Sequence, residues 1–512
     1  MKEKERKATG NAVLRLVLVG ITLILQVGWL LLLILRLNEH SAWISLLSSI
    51  LALTVVLRLY SKHTNAAMKM PWILLISTFP VMGLSLYLMF VLMGDPGVGK
   101  RLKAVRREME GAVPDPSRQV LAQLGEENPS QANQFRYVHS QTGQPVYRNT
   151  RVTYYPQAVA GLEAMKAELE KAEKFIFMEY FIVADDSSFR ELREILVRKA
   201  RQGVEVRLMY DDIGSVGYVN MRFARGLNEQ GIRCQVFNPA LPVLNLFLNH
   251  RDHRKITVVD GKVGFTGGFN LADEYFDRKK PYGQWKDTGI KLEGEAVVSL
   301  TAQFLELWNL QSREREEFGR YLKAVHSVRA AGYVQPFGDN PLEEERVAEN
   351  VYLNLIARAQ KTMWFITPYL IISDEMSNAL RLAAKRGVDV RIITPGVPDK
   401  KTVYAVTRSY YAGLAAQGVR IFEYAPGFCH AKMSLCDGEM ATVGTSNLDY
   451  RSLYHHFEND VLFSGCEAVE QVKGDFESLF PQCREVTDSY RSGRGRMLRI
   501  WQCILRLFAP LM

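Results

Sequence analysis

His253-Arg-Lys255-Ile-Thr-Val-Val-Asp260-Gly-Lys-Val-Gly-Phe-Thr-Gly267-Gly268-Phe-Asn270 is the stretch whose reading decides the fold. Ile256, Val258 and Val259 form a β-branched apolar run closed by Asp260-Gly261, and a second short apolar run follows. That pattern predicts a hairpin with its tight turn at Asp-Gly. His253 and Lys255 stand two apart, so on an extended backbone both side chains leave one face. An imidazole beside an ammonium is a poor core pair and a good phosphate site, where the cation holds oxygens and the imidazole attacks phosphorus or moves a proton. Gly267, Gly268 and Asn270 close the second strand, small residues for close backbone approach and an amide donor for a phosphate oxygen.

The chain contains this stretch twice. His430-Ala-Lys432-Met-Ser-Leu-Cys-Asp437-Gly is followed by Gly444-Thr-Ser446-Asn447. Both copies read His-x-Lys-x4-Asp-x6-Gly with Asn three residues on, a duplication that chance does not produce. Around each copy the strand–helix–strand plan also repeats. Helix Ala158–Lys174, strand Phe175–Val183, helix Phe189–Arg201 and strand Gly203–Tyr210 precede the first. Strand Met363–Tyr369, a helix through Ala379 to Lys385 and strand Gly387–Ile393 precede the second. Such units predict an α/β fold with a largely parallel sheet flanked by helices, built twice.

Charge narrows the partners. The net charge is +9, and residues 1–110 carry 14 Lys/Arg against 6 Asp/Glu, while 484–512 carry 6 against 2. The body between is near neutral, which speaks against a nucleic acid and suits basic ends on an anionic membrane. Leu16–Leu35 is uncharged, Ala42–Leu57 is a second apolar run, and Pro71–Met93 a third, with Trp72 and Tyr87 toward its two edges where headgroups lie. Residues 1–110 therefore read as a membrane-anchoring region with helices about 13–37, 42–59 and 71–94, too long and without the cleavage site of a signal peptide. Basic residues flank every run, so three full crossings cannot put them all on one side; a re-entrant or interfacial run would leave tail and body both cytoplasmic. Residues 111–134, rich in Pro, Gln and Asn, read as a linker. Domains at 135–320 and 321–490 follow, then a basic amphipathic helix at 491–512 with Arg496, Arg499 and Arg506 on one face and Trp501 beside them. A membrane-surface helix is favoured there over packing on the body. The Pro-broken apolar loop Pro239–Asn249 reads equally as a core-facing loop or as an apolar patch for acyl chains. The six cysteines show no disulfide or zinc spacing.

The repeated motif resembles the phospholipase D superfamily, whose two motifs meet across a pseudo-twofold axis in one active site. Further segments, among them Glu179-Tyr-Phe-Ile182, Tyr210-Asp-Asp-Ile-Gly-Ser215, Thr367-Pro-Tyr369 and Asn447-Leu-Asp-Tyr-Arg451, together with Trp72–Tyr87, resemble bacterial cardiolipin synthases from about residue 40 onward. The resemblance implies two phospholipase D-like α/β/α domains behind N-terminal transmembrane helices. It also implies a multi-pass cell-membrane enzyme that transfers a phosphatidyl group from one phosphatidylglycerol to another, releasing glycerol. His253 is then the nucleophile forming a phosphohistidine and His430 the acid–base, an assignment that could be exchanged. Lys255 and Lys432 with Asn270, Asn447, Gly268 and Ser446 would hold the phosphate oxygens. Asp260 and Asp437 belong to the catalytic motif but lie at its turn, where a structural role is expected. Asp287 and Glu458 sit where the superfamily places the carboxylates that orient the imidazoles. The chemistry needs no metal or cofactor, and no metal-ligand cluster is visible in the sequence. A phospholipase D, a phosphatidylserine synthase-like enzyme and a nuclease share the motifs; the membrane segments oppose the last.

Overall fold

The computed structural model describes residues 42–491 apart from 63, 93–95, 110, 221, 240–248, 313–317 and 324–325, with scattered positions at 17–35 and 505–509. The expected helix at 13–37 and most of the loop Pro239–Asn249 thus fall outside the described residues.

Two mixed sheets repeat one plan. The first runs Thr150–Tyr155, Gly289–Gly294, Val263–Gly267, Lys255–Val259, Phe175–Tyr180, Glu205–Asp211, Arg233–Phe237. The second runs Tyr333–Asp339, His456–Ser464, Met440–Gly444, Met433–Cys436, Thr362–Ile366, Asp389–Pro395, Arg420–Tyr424, with Cys483–Glu485 added at its edge. In each, the three strands joined by helical crossovers are mutually parallel. The motif hairpin enters antiparallel beside them. The expectation of a largely parallel sheet is corrected accordingly: a hairpin with a short turn can only lay its strands antiparallel. The hairpins themselves are as read. Asp260 and Gly261 adopt φ of 54° and 68°, and Asp437 and Gly438 repeat those values, the left-handed pair that such turns need.

Helices cover the outer faces, and one continuous apolar core joins the inner ones. It includes Phe177, Ile256, Phe304 and Trp308 from the first half and Trp364, Met433, Val461 and Phe476 from the second. The helix Val297–Gln311, buried over nearly its whole length, lies in this seam. Separate cores fill the outer layers of the two halves.

Residues 111–134 are not a linker. Ser117–Glu127 and Pro129–Thr142 are helices whose Leu124, Phe135 and Val138 are buried in the outer core of the second half. Their polar composition reflects the solvent face, and the apolar residues recur at helical spacing. The third apolar run is also different. It is broken at Phe79 into Ala66–Thr78 and Pro80–Leu92, which fold back on each other. A Cβ on Gly83 would lie 2.6 Å from Ile76 Cα, so only glycine allows this approach. Trp72 and Tyr87, read as marking opposite edges of a crossing, meet with ring centroids 5.4 Å apart. Among the described residues no helix is long and apolar enough to cross a membrane. At the C-terminal end, where a membrane-surface helix was favoured, the few described positions pack on the body. The Arg506 guanidinium lies 4.3 Å from the Tyr410 ring centre, and Ala509 is buried.

Candidate active site

Two short parallel bridges between the halves build the site. Arg251–Asp252 pairs with His456–Phe457, so the next residue on each strand, His253 and Glu458, become neighbours. Gln284–Lys286 pairs with Gly427–Cys429, and the next residues are Asp287 and His430. Backbone bonds carry the register onward: His253 N–H donates to Phe457 O at 3.0 Å and His430 N–H to Lys286 O at 2.7 Å. Parallel strands in register advance together. Each histidine therefore arrives beside the carboxylate of the opposite half.

The side chains complete the exchange. His253 Nδ1 lies 2.8 and 2.9 Å from the Glu458 carboxylate oxygens, and His430 Nδ1 lies 2.7 Å from Asp287 Oδ2. Nδ1–H donates in each pair, which leaves the Nε2 lone pair for chemistry. His253 and His430 are 6% and 7% exposed, and Lys255 and Lys432 only 1% each. Buried ion pairs brace the first histidine on both sides: Arg251 donates to Asp211 at 2.9 Å, and Arg254 to Glu179 at 2.7 Å. Trp285 and Tyr275 wall in the second, with ring centroids 5.5 and 5.2 Å from His430.

Burial governs the protonation states. It holds His253 well below the ordinary imidazole range, against the pull of Glu458. It lowers His430 to about 4, helped by the Lys432 charge. Burial also lowers Lys255 to about 7 and Lys432 to about 8. Burial alone would raise the two carboxylates, but the histidines, and at Asp287 also Lys432, keep both ionised below their usual range. Charges of one half reach the other: Lys255 acts on His430, and Glu458 acts on Lys255. An anionic phosphate entering here would restore the charge of the lysines that burial suppresses.

Several residues read as functional do other work. Asp260 accepts from the backbone N–H of Glu173, Lys174 and Phe175 at 2.9, 2.7 and 2.8 Å. Asp437 repeats this with Gln360, Lys361 and Thr362 at 2.9, 2.7 and 2.9 Å. They clamp each hairpin turn to the start of the neighbouring strand, the structural role expected of a turn residue. Ser446 gives its hydroxyl to Asp460, so it is not free for a phosphate. Gly268 makes room: a Cβ there would lie 2.0 Å from Asp287 Oδ1. Asn270 accepts from Ile182 N–H at 3.0 Å and donates to the Tyr275 hydroxyl at 2.8 Å, which commits most of its amide to the scaffold. Asn447 differs, because its buried amide oxygen has no partner among the described residues.

Sequence reading missed others. Thr445, in the position matching Gly268, donates to Glu458 at 2.6 Å. Asn459 accepts from Lys255 N–H at 3.2 Å and donates to Thr266 at 2.7 Å, tying the halves at the lysine. Both lie beside motif residues, which is the signal that could have found them. His456, Glu458 and His253 also converge, with a ligand atom of each within 4.8 Å of the others. This is a cluster that the sequence spacing did not disclose.

The chain resembles known proteins over most of its length. The family model described as cardiolipin synthase, PLD-like domain, matches residues 165–308 and 352–480, one match in each half. A cardiolipin synthase of Geobacillus kaustophilus is 33% identical over 482 residues, 91% of this chain and 93% of that protein. An uncharacterized protein of Streptococcus mutans is 41% identical over 460 residues, 89% of this chain and 99% of that one. The crystal structure of a phosphatidylserine synthase from Haemophilus influenzae covers 73% of this chain and 97% of its own at a TM-score of 0.55, with 13% identity, a likeness of fold. Two matched halves and full-length relatives agree with the duplicated site: the chain belongs to the cardiolipin synthase family of phospholipase D-like enzymes.

Proposed function

We propose that the chain transfers a phosphatidyl group from one phosphatidylglycerol to the glycerol hydroxyl of a second, giving cardiolipin and free glycerol. The observation that carries this reading is the crosswise pairing His253–Glu458 and His430–Asp287, which gives one site two oriented imidazoles and two lysines. His253 Nε2 attacks phosphorus while His430 protonates the departing glycerol oxygen, leaving a phosphatidyl-histidine. His430 then takes the proton of the incoming hydroxyl as its oxygen attacks phosphorus and frees His253. Burial holds both imidazoles below their ordinary range, and the assignment of His253 as nucleophile and His430 as acid–base follows the superfamily resemblance. Lys255, Lys432 and the Asn447 amide hold the non-bridging oxygens, where charge gathers in the transition state.

The N-terminal helices support attachment at a membrane. Leu46, Leu47, Ile50, Leu53, Leu57 and Phe79 are exposed apolar side chains, a surface that water disfavours. The helices Ala66–Thr78 and Pro80–Leu92, about 20 Å each, are too short for a bilayer core of about 30 Å. The hairpin starts and ends at the catalytic body. Asn65 donates to Tyr454 at 3.1 Å, and the helix Pro96–Met109 buries Leu102 and Val105 in the central core. A re-entrant hairpin of this kind keeps Arg58, Lys62, Lys69 and the basic run 100–107 on the side of the body, which supports a cytoplasmic catalytic face.

The test is purified protein supplied with phosphatidylglycerol alone. Cardiolipin and glycerol in equal amounts, without phosphatidic acid, are expected. Phosphatidic acid without cardiolipin would make the chain a phospholipase instead.

A further inference from the structure

His456 is the buried group that the transfer reaction leaves idle. It stands two residues before Glu458 on the strand His456–Ser464, so both side chains leave the same face, and that face meets His253 on the paired strand. Its ring is 92% buried and centred 5.4 Å from that of His253. Nδ1 lies 3.5 Å from Glu458 Oε1, at the outer limit of a hydrogen bond, and Nε2 has no partner among the described residues. A buried imidazole so poorly satisfied costs free energy unless something else occupies it.

We propose that His253, His456 and Glu458 form a binding site for a divalent transition-metal cation of the zinc class, and that its occupation switches the enzyme off. Tetrahedral zinc with nitrogen and oxygen ligands at about 2.0–2.2 Å sets ligand atoms roughly 3.4 Å apart. The separations here, 2.8 Å from His253 Nδ1 to Glu458 Oε2 and 3.5 Å from His456 Nδ1 to Oε1, bracket that spacing. Two imidazoles and one carboxylate are a set that zinc takes readily, with water as the fourth ligand. The Lys255 ammonium opposes a cation; the Glu458 and Asp449 carboxylates, both of which interact with His456, favour one. Inhibition follows from the tautomer. Transfer needs the proton on His253 Nδ1 and the lone pair on Nε2. A cation on Nδ1 takes that lone pair, the ring's one proton moves through water to Nε2, and the nucleophile is blocked.

This effect on activity rests on His253 acting in the transfer; the binding site itself does not. Full-length protein in detergent micelles, treated with chelator and then titrated with Co2+, should develop the visible bands of a tetrahedral ion at one equivalent, and zinc should displace it. Saturating zinc should slow cardiolipin formation at least tenfold, with recovery on adding chelator. His456→Asn should weaken cobalt binding at least tenfold, while His455→Asn should leave the bands in place. Should His456→Asn fold poorly, the wild-type titration still decides. No tetrahedral bands, or equal zinc inhibition in His456→Asn, overturns the proposal. Bands with unaffected transfer would support the metal site and overturn the role given to His253. Absence of bands, with transfer lost in His253→Ala, would leave the proposed function standing without this site.

Discussion

The two histidine pockets perform matching tasks with different materials. His253 is oriented by a glutamate, whose longer side chain is steadied by the Thr445 hydroxyl at 2.6 Å. His430 is oriented by an aspartate, whose shorter side chain must come closer and fits only because residue 268 lacks a Cβ. Thr445 and Gly268 occupy equivalent places in the two motifs, so one position solves the same problem by adding a donor or by removing an obstacle. The surroundings differ as well. His253 is bordered by Phe181 and a second imidazole, and His430 by Trp285, Tyr275 and Phe428. A duplicated fold has thus kept its geometry while its halves took unequal environments, as two unequal roles in one reaction require.

The largest test of that inequality removes each histidine. His253→Ala and His430→Ala should both lower cardiolipin formation by roughly 10^4-fold, the scale of losing a nucleophile or acid–base group that acts as part of a unit. Only His430→Ala should yield a trapped lipid–protein adduct; an adduct in His253→Ala instead would exchange the roles. Gly268→Ala comes next. Its new Cβ would displace the Asp287 carboxylate, and a fall in kcat of about 100-fold is expected with KM little changed. The turn aspartates should behave otherwise. Asp260→Ala and Asp437→Ala each lose bonds to three backbone donors and should cost about 2–3 kcal/mol of stability, read as a lower melting temperature. The activity per folded molecule should stay near wild type, and a specific kcat loss would restore these aspartates to the chemistry. Thr445→Val removes one hydrogen bond to Glu458 and should cost about tenfold in kcat, less than Gly268→Ala.

The smallest expected effect is one of pH. Burial lowers Lys255 to about 7 and Lys432 to about 8 in the free enzyme. Both ammonium groups are present below these values and are lost as pH rises through them. Affinity for inorganic phosphate, measured by calorimetry, should therefore fall several-fold between pH 6.5 and 9, with the anion itself delaying the loss. A flat profile would mean that neither lysine binds the anion.

Much of this architecture is legible in the sequence because it is local. The Asp-Gly turns, the period-2 strands and the crossover helices are each written within about twenty residues. The His-x-Lys spacing likewise identifies the chemistry without any contact being known. What escapes is the pairing. His253 and Glu458 are 205 residues apart, and His430 and Asp287 are 143 apart, so no periodicity reports that each imidazole takes its carboxylate from the other half. The role of Gly268 is hidden for the same reason, since the atom it admits comes from another strand. The break at Phe79 carried a readable signal: a residue before proline is disfavoured in the helical region, and Gly83 follows within one turn. Total hydrophobicity of the run masked it. The helices at 117–142 are masked by their polar composition, although Val120, Leu124, Phe135 and Val138 keep helical spacing.

The crosswise bridges also bear on synthesis. A chain emerging from the ribosome carries His253 long before Glu458 exists, so its first imidazole has no fixed tautomer and its second motif is still to come. With the membrane attachment proposed above, a lipid-cleaving site formed early would threaten the bilayer that receives the hairpin. Here that hairpin leaves first, and the reactive centre is assembled only when the strand His456–Ser464 docks near the end of translation. Under the proposed attachment the hairpin therefore emerges before the site exists, and a fragment ending before this strand lacks the carboxylate that orients His253.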